Sequence, residues 1–172
     1  VVHQPRLDNT RYHQTKNARG YMHPISLMGE KFIQFSKTVS PVLDMGCAYG
    51  SVILKALDEG AKKIIACDME QKHLDILRAQ LSETESQRVE ILKGLLPNGF
   101  SINPDSVAGI YISHVLEYLN GREVGESLEN FYQWLKPGGK LFIKCYTIKI
   151  SDTLIYARYD LTGLPDLTVS WK

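Results

Sequence analysis

Cysteine is scarce. Cys47, Cys67 and Cys145 are the three in 172 residues, an odd number with no metal-ligand spacing. That pattern excludes a disulfide framework and a cysteine-rich metal module. All three fall in or just after predicted strands, so they are expected to pack as small apolar thiols in a reducing compartment, and a cytoplasmic location follows. No apolar run is long enough to span a bilayer, and no signal-peptide pattern is visible. Neither sign of charge is in excess: 20 Lys and Arg face 19 Asp and Glu, a formal net charge of +1. Strong affinity for nucleic acid or a membrane surface is therefore not expected. Internal repeats, low-complexity tracts and a dividing linker are missing too. The first residue is Val1 rather than Met, which suggests a processed or trimmed chain. At 44% hydrophobic and 23% charged residues, the 172-residue chain suits one soluble domain around one core.

What is present is an alternation of short apolar runs and amphipathic segments. Val42-Leu43, Lys63–Asp68, Val89–Leu92, Val107–Ile112 and Phe142–Cys145 have the length and composition of buried strands. A helix is expected from about Pro24, with Ile25, Met28, Phe32, Phe35 and Val39 on its apolar face, ended by Pro41. Further helices are expected from Ser51 to a Gly60 cap, over 70–82 with Leu74, Leu77 and Leu81 inward, and over 122–136. Ser82–Gln87 has the composition of a polar turn, Asn98–Asp105 that of a surface loop, and Pro137-Gly138-Gly139 that of a tight αβ connection. Alternating elements of this kind predict an α/β, doubly wound, mostly parallel sheet with helices on both faces. Two domain ranges follow: a polar N-terminal arm or flap over 1–23, and a single domain over 24–172.

The chain is organised around residues 41–50, Pro-Val-Leu-Asp-Met-Gly-Cys-Ala-Tyr-Gly. An apolar strand ends at Asp44, Gly46, Ala48 and Gly50 make a small-residue turn, and a helix begins at once. A turn of this kind lets a ligand approach the backbone at a helix N-terminus. A carboxylate at the strand end selects a ligand with positive charge or hydroxyls. Three readings compete. A bare structural turn needs no ligand. A dinucleotide turn of the G-x-G-x-x-G kind would use Gly46, Ala48 and Ser51, of which one is Gly, and Asp44 would repel its pyrophosphate. A cationic nucleoside fits the carboxylate.

Asp44, Gly46, Ala48 and Gly50 resemble the first motif of the class I S-adenosylmethionine-dependent methyltransferases, with Ala in place of the middle Gly. Three later features agree in order with that family: Asp68 ending the second strand, Ser113-His114-Val115-Leu116-Glu117-Tyr118-Leu119 leaving the fourth, and Leu135-Lys136-Pro137-Gly138-Gly139 before the fifth. The resemblance covers about residues 25–147. It implies the sheet order 3-2-1-4-5, with C-terminal strands abbreviated or truncated. It implies S-adenosylmethionine as cofactor and methyl transfer as the reaction. Asp44, Gly46, Cys47, Ala48, Tyr49 and Gly50 would hold the methionine part, Asp68 both ribose hydroxyls, and Met69 and Leu95 the faces of adenine. Leu95 stands where many relatives carry an Asp for the adenine amino group. Ser113 and His114 would face the methyl donor and the acceptor. His114, with an unperturbed pKa of about 6.5, is the candidate general base, against a plain pocket-lining role.

The resemblance leaves the acceptor open. A small molecule leads, a protein side chain comes next, and nucleic acid and membrane are least favoured. No metal site is expected. A non-catalytic S-adenosylmethionine-binding scaffold or partner subunit is the alternative, and an NAD-linked oxidoreductase the third reading. Beyond residue 148, Thr153–Tyr159 is expected as a helix and Leu167–Trp171 as a short strand, with two readings for Tyr156, Arg158, Tyr159 and Trp171: a substrate wall, or closure of the core edge.

Overall fold

The computed structural model describes residues 16–17, 20–21, 24–145 and 168–170, with side-chain environments for 24–145. Within the arm, β1 (Lys16–Asn17) and β2 (Gly20–Tyr21) pair antiparallel. The rest of the arm, the expected helix over Thr153–Tyr159, and Tyr156, Arg158, Tyr159 and Trp171 lie outside the described residues.

Six strands form the main sheet: β3 (Val42–Met45), β4 (Ile64–Asp68), β5 (Val89–Lys93), β6 (Val107–Ser113), β7 (Leu135–Lys144) and β8 (Thr168–Ser170). Their order is β5-β4-β3-β6-β7-β8. The first five are mutually parallel, which is the predicted 3-2-1-4-5 arrangement, and β8 adds antiparallel to β7 within the expected Leu167–Trp171 segment. The order reverses between β3 and β6, so the crevice outside their C-terminal ends is the topological switch point where open α/β sheets take ligands.

Each face of the sheet has its own apolar layer. On one, α1 (Leu27–Ser36), α2 (Ser51–Asp58) and α3 (Gln71–Gln80) bury Phe32, Ile33, Ile53, Leu54, Leu74 and Leu77 against Val42, Ile64 and Ala66. On the other, α5 (Gly121–Trp134) brings Val124, Phe131 and Trp134 onto Leu43, Ile110 and Ile112. Side chains alternate between faces along a strand. Asp44 and Asp68 therefore leave the same face as Val42, Ile64 and Ala66, towards α2 and α3.

Four local details differ from the sequence reading. The first helix begins at Leu27 rather than Pro24, because Ser26 is its N-cap and accepts from the Gly29 amide at 3.1 Å. It ends at Ser36, several residues short of Pro41. Ser82–Gln87 contains a short helix, α4 (Glu83–Ser86), closed by a reciprocal capping box between Ser82 and Glu85. The Pro-Gly-Gly stretch is a bulge inside β7 rather than a turn before it: α5 ends at Trp134 and β7 starts at Leu135, with register moving from Val107↔Leu135 to Gly109↔Lys140. Gly138, at φ +77°, absorbs the extra chain.

Candidate functional site

The turn leaving β3 is built from left-handed backbone. Gly46, Ala48 and Gly50 have φ of 80°, 47° and 81°. Two neighbours require the glycines sterically. A Cβ on Gly46 would stand 2.3 Å from Cγ2 of Val115, and one on Gly50 would stand 2.4 Å from Cδ1 of Leu77. The turn is thus wedged between the segment following β6 and helix α3.

Its amides are largely engaged inside the protein. Gly46 and Cys47 donate to the Cys67 carbonyl at 2.7 and 2.9 Å, and Gly50 donates to the Cys47 carbonyl at 2.8 Å. Ala48 donates to Oδ2 of Asp68 at 2.8 Å. A phosphate cradle needs such amides free and aimed at the ligand. With these four taken and two carboxylates beside them, the turn does not suit a pyrophosphate.

Asp44 is 3% exposed. Burial first, and then the neighbouring Asp68, push its carboxyl up to about 8. Asp68 is buried as well, and burial alone would raise it, but hydrogen bonds from His73, Glu70 and Ala48 outweigh this and hold it below the usual carboxylate range. Oδ1 of Asp68 accepts from the Glu70 amide at 2.8 Å and lies 3.1 Å from Nδ1 of His73. Three of about four lone-pair positions on Asp68 are therefore taken by the protein.

Cys47 is buried, and its thiol is pushed well above its ordinary value by burial and by Asp44 and Asp68. It packs with the apolar layer under α2 and α3. Cys67 and Cys145 are also free and buried. The Tyr49 ring packs edge-on against His73, with centroids 5.2 Å apart, so its side chain belongs to the layer under α3. Met69, at 37% exposed, follows β4, and Leu95, at 55%, follows β5. Two exposed apolar side chains at neighbouring strand ends offer a surface for a flat aromatic group.

Ser113 closes β6 beside the turn, and His114 follows with φ 55°. The His114 amide donates to the Lys144 carbonyl at 2.8 Å, which ties this corner to β7. Nδ1 of His114 is 3.0 Å from Oε1 of Glu117, and both side chains are largely buried. The expected site residues Asp44, Gly46, Cys47, Ala48, Gly50 and Asp68 converge on one turn, with Ser113 and His114 on the adjoining strand.

Three residues had no role in the sequence reading. His73 occupies an inward position of α3 next to Leu74. Tyr111, Cα partner of Asp44 across the β3–β6 pair, is buried with its hydroxyl 3.5 Å from the Ser26 Oγ. Glu117, named in the sequence reading only within the segment leaving the fourth strand, has its Oε1 3.0 Å from Nδ1 of His114. A signal existed for Glu117, which stands three residues from His114; His73 stands five residues from Asp68, with the start of α3 between them.

A methyltransferase-domain family profile matches residues 42–139, more than half of the chain. The chain belongs to the methyltransferase domain family. The matched region runs from the first residue of β3 into the β7 bulge, so it contains the turn, both carboxylates and His114. Among curated relatives, this methyltransferase domain is 26% identical over 132 residues to a carboxy-S-adenosyl-L-methionine synthase of Shewanella sediminis, covering 74% of this chain and 53% of that protein. It is 27% identical over 130 residues to the tRNA N(3)-methylcytidine methyltransferase Mettl2 of Drosophila melanogaster, covering 72% and 36%. The chain spans about half or less of the length of these two relatives. An S-adenosylmethionine-dependent methyltransferase from Mesorhizobium loti shares the fold, with a TM-score of 0.56 at 22% identity, covering 67% of this chain and 52% of that one. Among the described residues of the methyltransferase domain, no helix is long and apolar enough to cross a membrane.

Proposed function

We propose that this domain binds S-adenosylmethionine at the C-terminal ends of β3 and β4 and transfers its methyl group to an acceptor, with a small molecule first in order and a protein side chain second. The observation that carries the reading is Asp44, a carboxyl 3% exposed at the switch point and pushed up to about 8 by burial and by the neighbouring Asp68. A ligand that brings a cation to it relieves the cost of ionising it there; a pyrophosphate would add to that cost. The methionine ammonium is such a cation. The backbone of Gly46–Gly50 borders the methionine part, Asp68 faces the ribose, and Met69 and Leu95 flank the adenine.

The sulfonium supplies a methyl carbon already activated for displacement. The protein's task is to hold the acceptor in line with the breaking bond and to keep water away. Where the acceptor must lose a proton, His114 takes it, with Glu117 holding Nδ1 so that the other ring nitrogen is the basic one. Three buried thiols suit a reducing compartment, and we place the domain in the cytoplasm.

Calorimetry with S-adenosylhomocysteine and with NAD tests the cofactor. Binding of the first and not the second is expected; binding of NAD alone overturns the reading. A tritiated-methyl assay over small molecules, peptides and tRNA then tests transfer, and tRNA belongs in that panel because one relative's name specifies it. Binding with no transfer to any acceptor favours the scaffold reading. A second reading has its own support, since relatives from Shewanella and Photorhabdus are named carboxy-S-adenosyl-L-methionine synthases. Mass spectrometry of the cofactor pool after incubation separates it, because the product is then a carboxylated cofactor and not a methylated acceptor.

A further inference from the structure

An ionised carboxylate has about four lone-pair positions, two on each oxygen. On Asp68, Oδ1 takes the Glu70 amide at 2.8 Å and faces Nδ1 of His73 at 3.1 Å, and Oδ2 takes the Ala48 amide at 2.8 Å. One position remains, on Oδ2. We propose that His73 is a positioning residue that closes Oδ1, so that Asp68 reads a single ribose hydroxyl of the bound nucleoside instead of chelating both. The proposal rests on the ribose reading of Asp68 and refines it.

His73 is 4% exposed and sits in the first turn of α3, beside Leu74 and Leu77 at the other inward positions. A histidine there is costly to bury unless its nitrogens are used. Nδ1 faces an anion and must carry a proton to do so, which fixes that nitrogen as donor. Nε2 is buried and has no hydrogen-bond partner among the described residues. Apolar filling does not explain such a residue; the bond to Asp68 does. The Tyr49 ring packs edge-on against the imidazole, with centroids 5.2 Å apart. Because helix α3 has no side-chain cap from Glu70, the same Asp68 oxygen also holds the first free amide of that helix, and the carboxylate is pinned from both sides. Oδ2 is shared between the Ala48 amide and the remaining position. The hydroxyl that binds there is coupled to the turn holding the methionine part.

The experiment is calorimetry of the full chain with S-adenosylhomocysteine and its 2′-deoxy and 3′-deoxy analogues. It is run on the wild type and on Asp68→Ala, His73→Asn, His73→Gln and His73→Leu, each checked for folding by circular dichroism. One analogue is expected to bind the wild type about tenfold or more weakly than the parent, and that difference should vanish in Asp68→Ala. His73→Asn places an amide donor near the position of Nδ1 and should keep the discrimination. His73→Gln carries its donor farther out and should shrink it to about twofold or less, as should His73→Leu. If both analogues lose affinity through Asp68, the single-hydroxyl claim is overturned. If the Gln and Leu variants weaken all three ligands by one common factor, or none, His73 is a packing residue and the positioning role falls. If Asp68→Ala leaves all three affinities unchanged, the ribose reading itself has failed, an outcome distinct from the other two.

Discussion

Asp44 and Asp68 end neighbouring parallel strands, leave the same face of the sheet, and are nearly equally buried, at 3% and 7% exposed. They titrate in opposite directions. Asp68 is held down because three donors meet it; Asp44 rises because burial and the neighbouring Asp68 both act on it. The difference lies not in residue type or depth but in what the protein supplies. One carboxylate is a finished structural group with a single vacancy. The other is a buried carboxyl beside a second carboxylate, and the proposed ligand would bring it a cation. That contrast is the strongest physical argument for a cationic ligand here.

The most direct way to break the comparison is Asp44→Asn. Removing one member of a buried ion pair costs about 3 kcal/mol or more, so affinity for S-adenosylhomocysteine should fall at least about a hundredfold by calorimetry. The ligand-free domain should melt no lower than wild type at neutral pH, and an affinity within a few-fold of wild type would remove Asp44 from the site.

The pH profile sharpens the same contrast. Asp44 rises from 3.8 to about 8 on folding, so the folded state binds the extra proton. Its contribution is fully present below the unfolded value and is lost as pH rises towards 8, with a slope of at most about 1.4 kcal/mol per unit. Asp68 has the opposite sign, and its contribution is lost as pH falls below the ordinary carboxylate range. Urea unfolding of the ligand-free domain from pH 5 to 8 should show the Asp44 slope, and Asp44→Asn should flatten it.

Asp68→Ala acts on both functions of its carboxylate. Affinity for the nucleoside should weaken by about 1.5–3 kcal/mol for a lost charged hydrogen bond, and the melting temperature should drop as its donors are orphaned. Gly46→Ala tests the wedge between the two strand ends. It adds a Cβ 2.3 Å from Val115 at a φ of 80°, and should cost about 1–3 kcal/mol of stability by denaturant titration. The smallest effect is expected for Leu95→Asp. This side chain is 55% exposed, and a new bond to the adenine amino group should tighten binding by about 1 kcal/mol or less. Looser binding would place the adenine elsewhere.

The sequence made the sheet legible because its parallel strands are buried on both faces and stand out as unbroken apolar runs, as in Ile64-Ile65-Ala66-Cys67. The turn at Asp44 was legible from composition alone. What was not legible depends on contacts between segments far apart in the chain. The amide of Ala48 reaching Asp68, and Val115 pressing on Gly46, join positions 20 and 69 residues apart. The bulge in β7 was misread because Pro-Gly-Gly has turn chemistry, while pairing with β6 keeps the segment in the sheet. The helix at Glu83–Ser86 does carry a sequence signal, since Ser82 and Glu85 have the capping-box spacing.

Val115 packs close to Gly46 in the turn after β3, the proposed cofactor side, and it is the immediate neighbour of His114 on the proposed acceptor side. A substitution that reshapes the segment after β6 at Val115 therefore acts directly on the backbone of the turn after β3. Anyone enlarging the acceptor side to admit a bulkier molecule would do best to leave Val115 alone and work outward from Tyr118, whose side chain is 71% exposed.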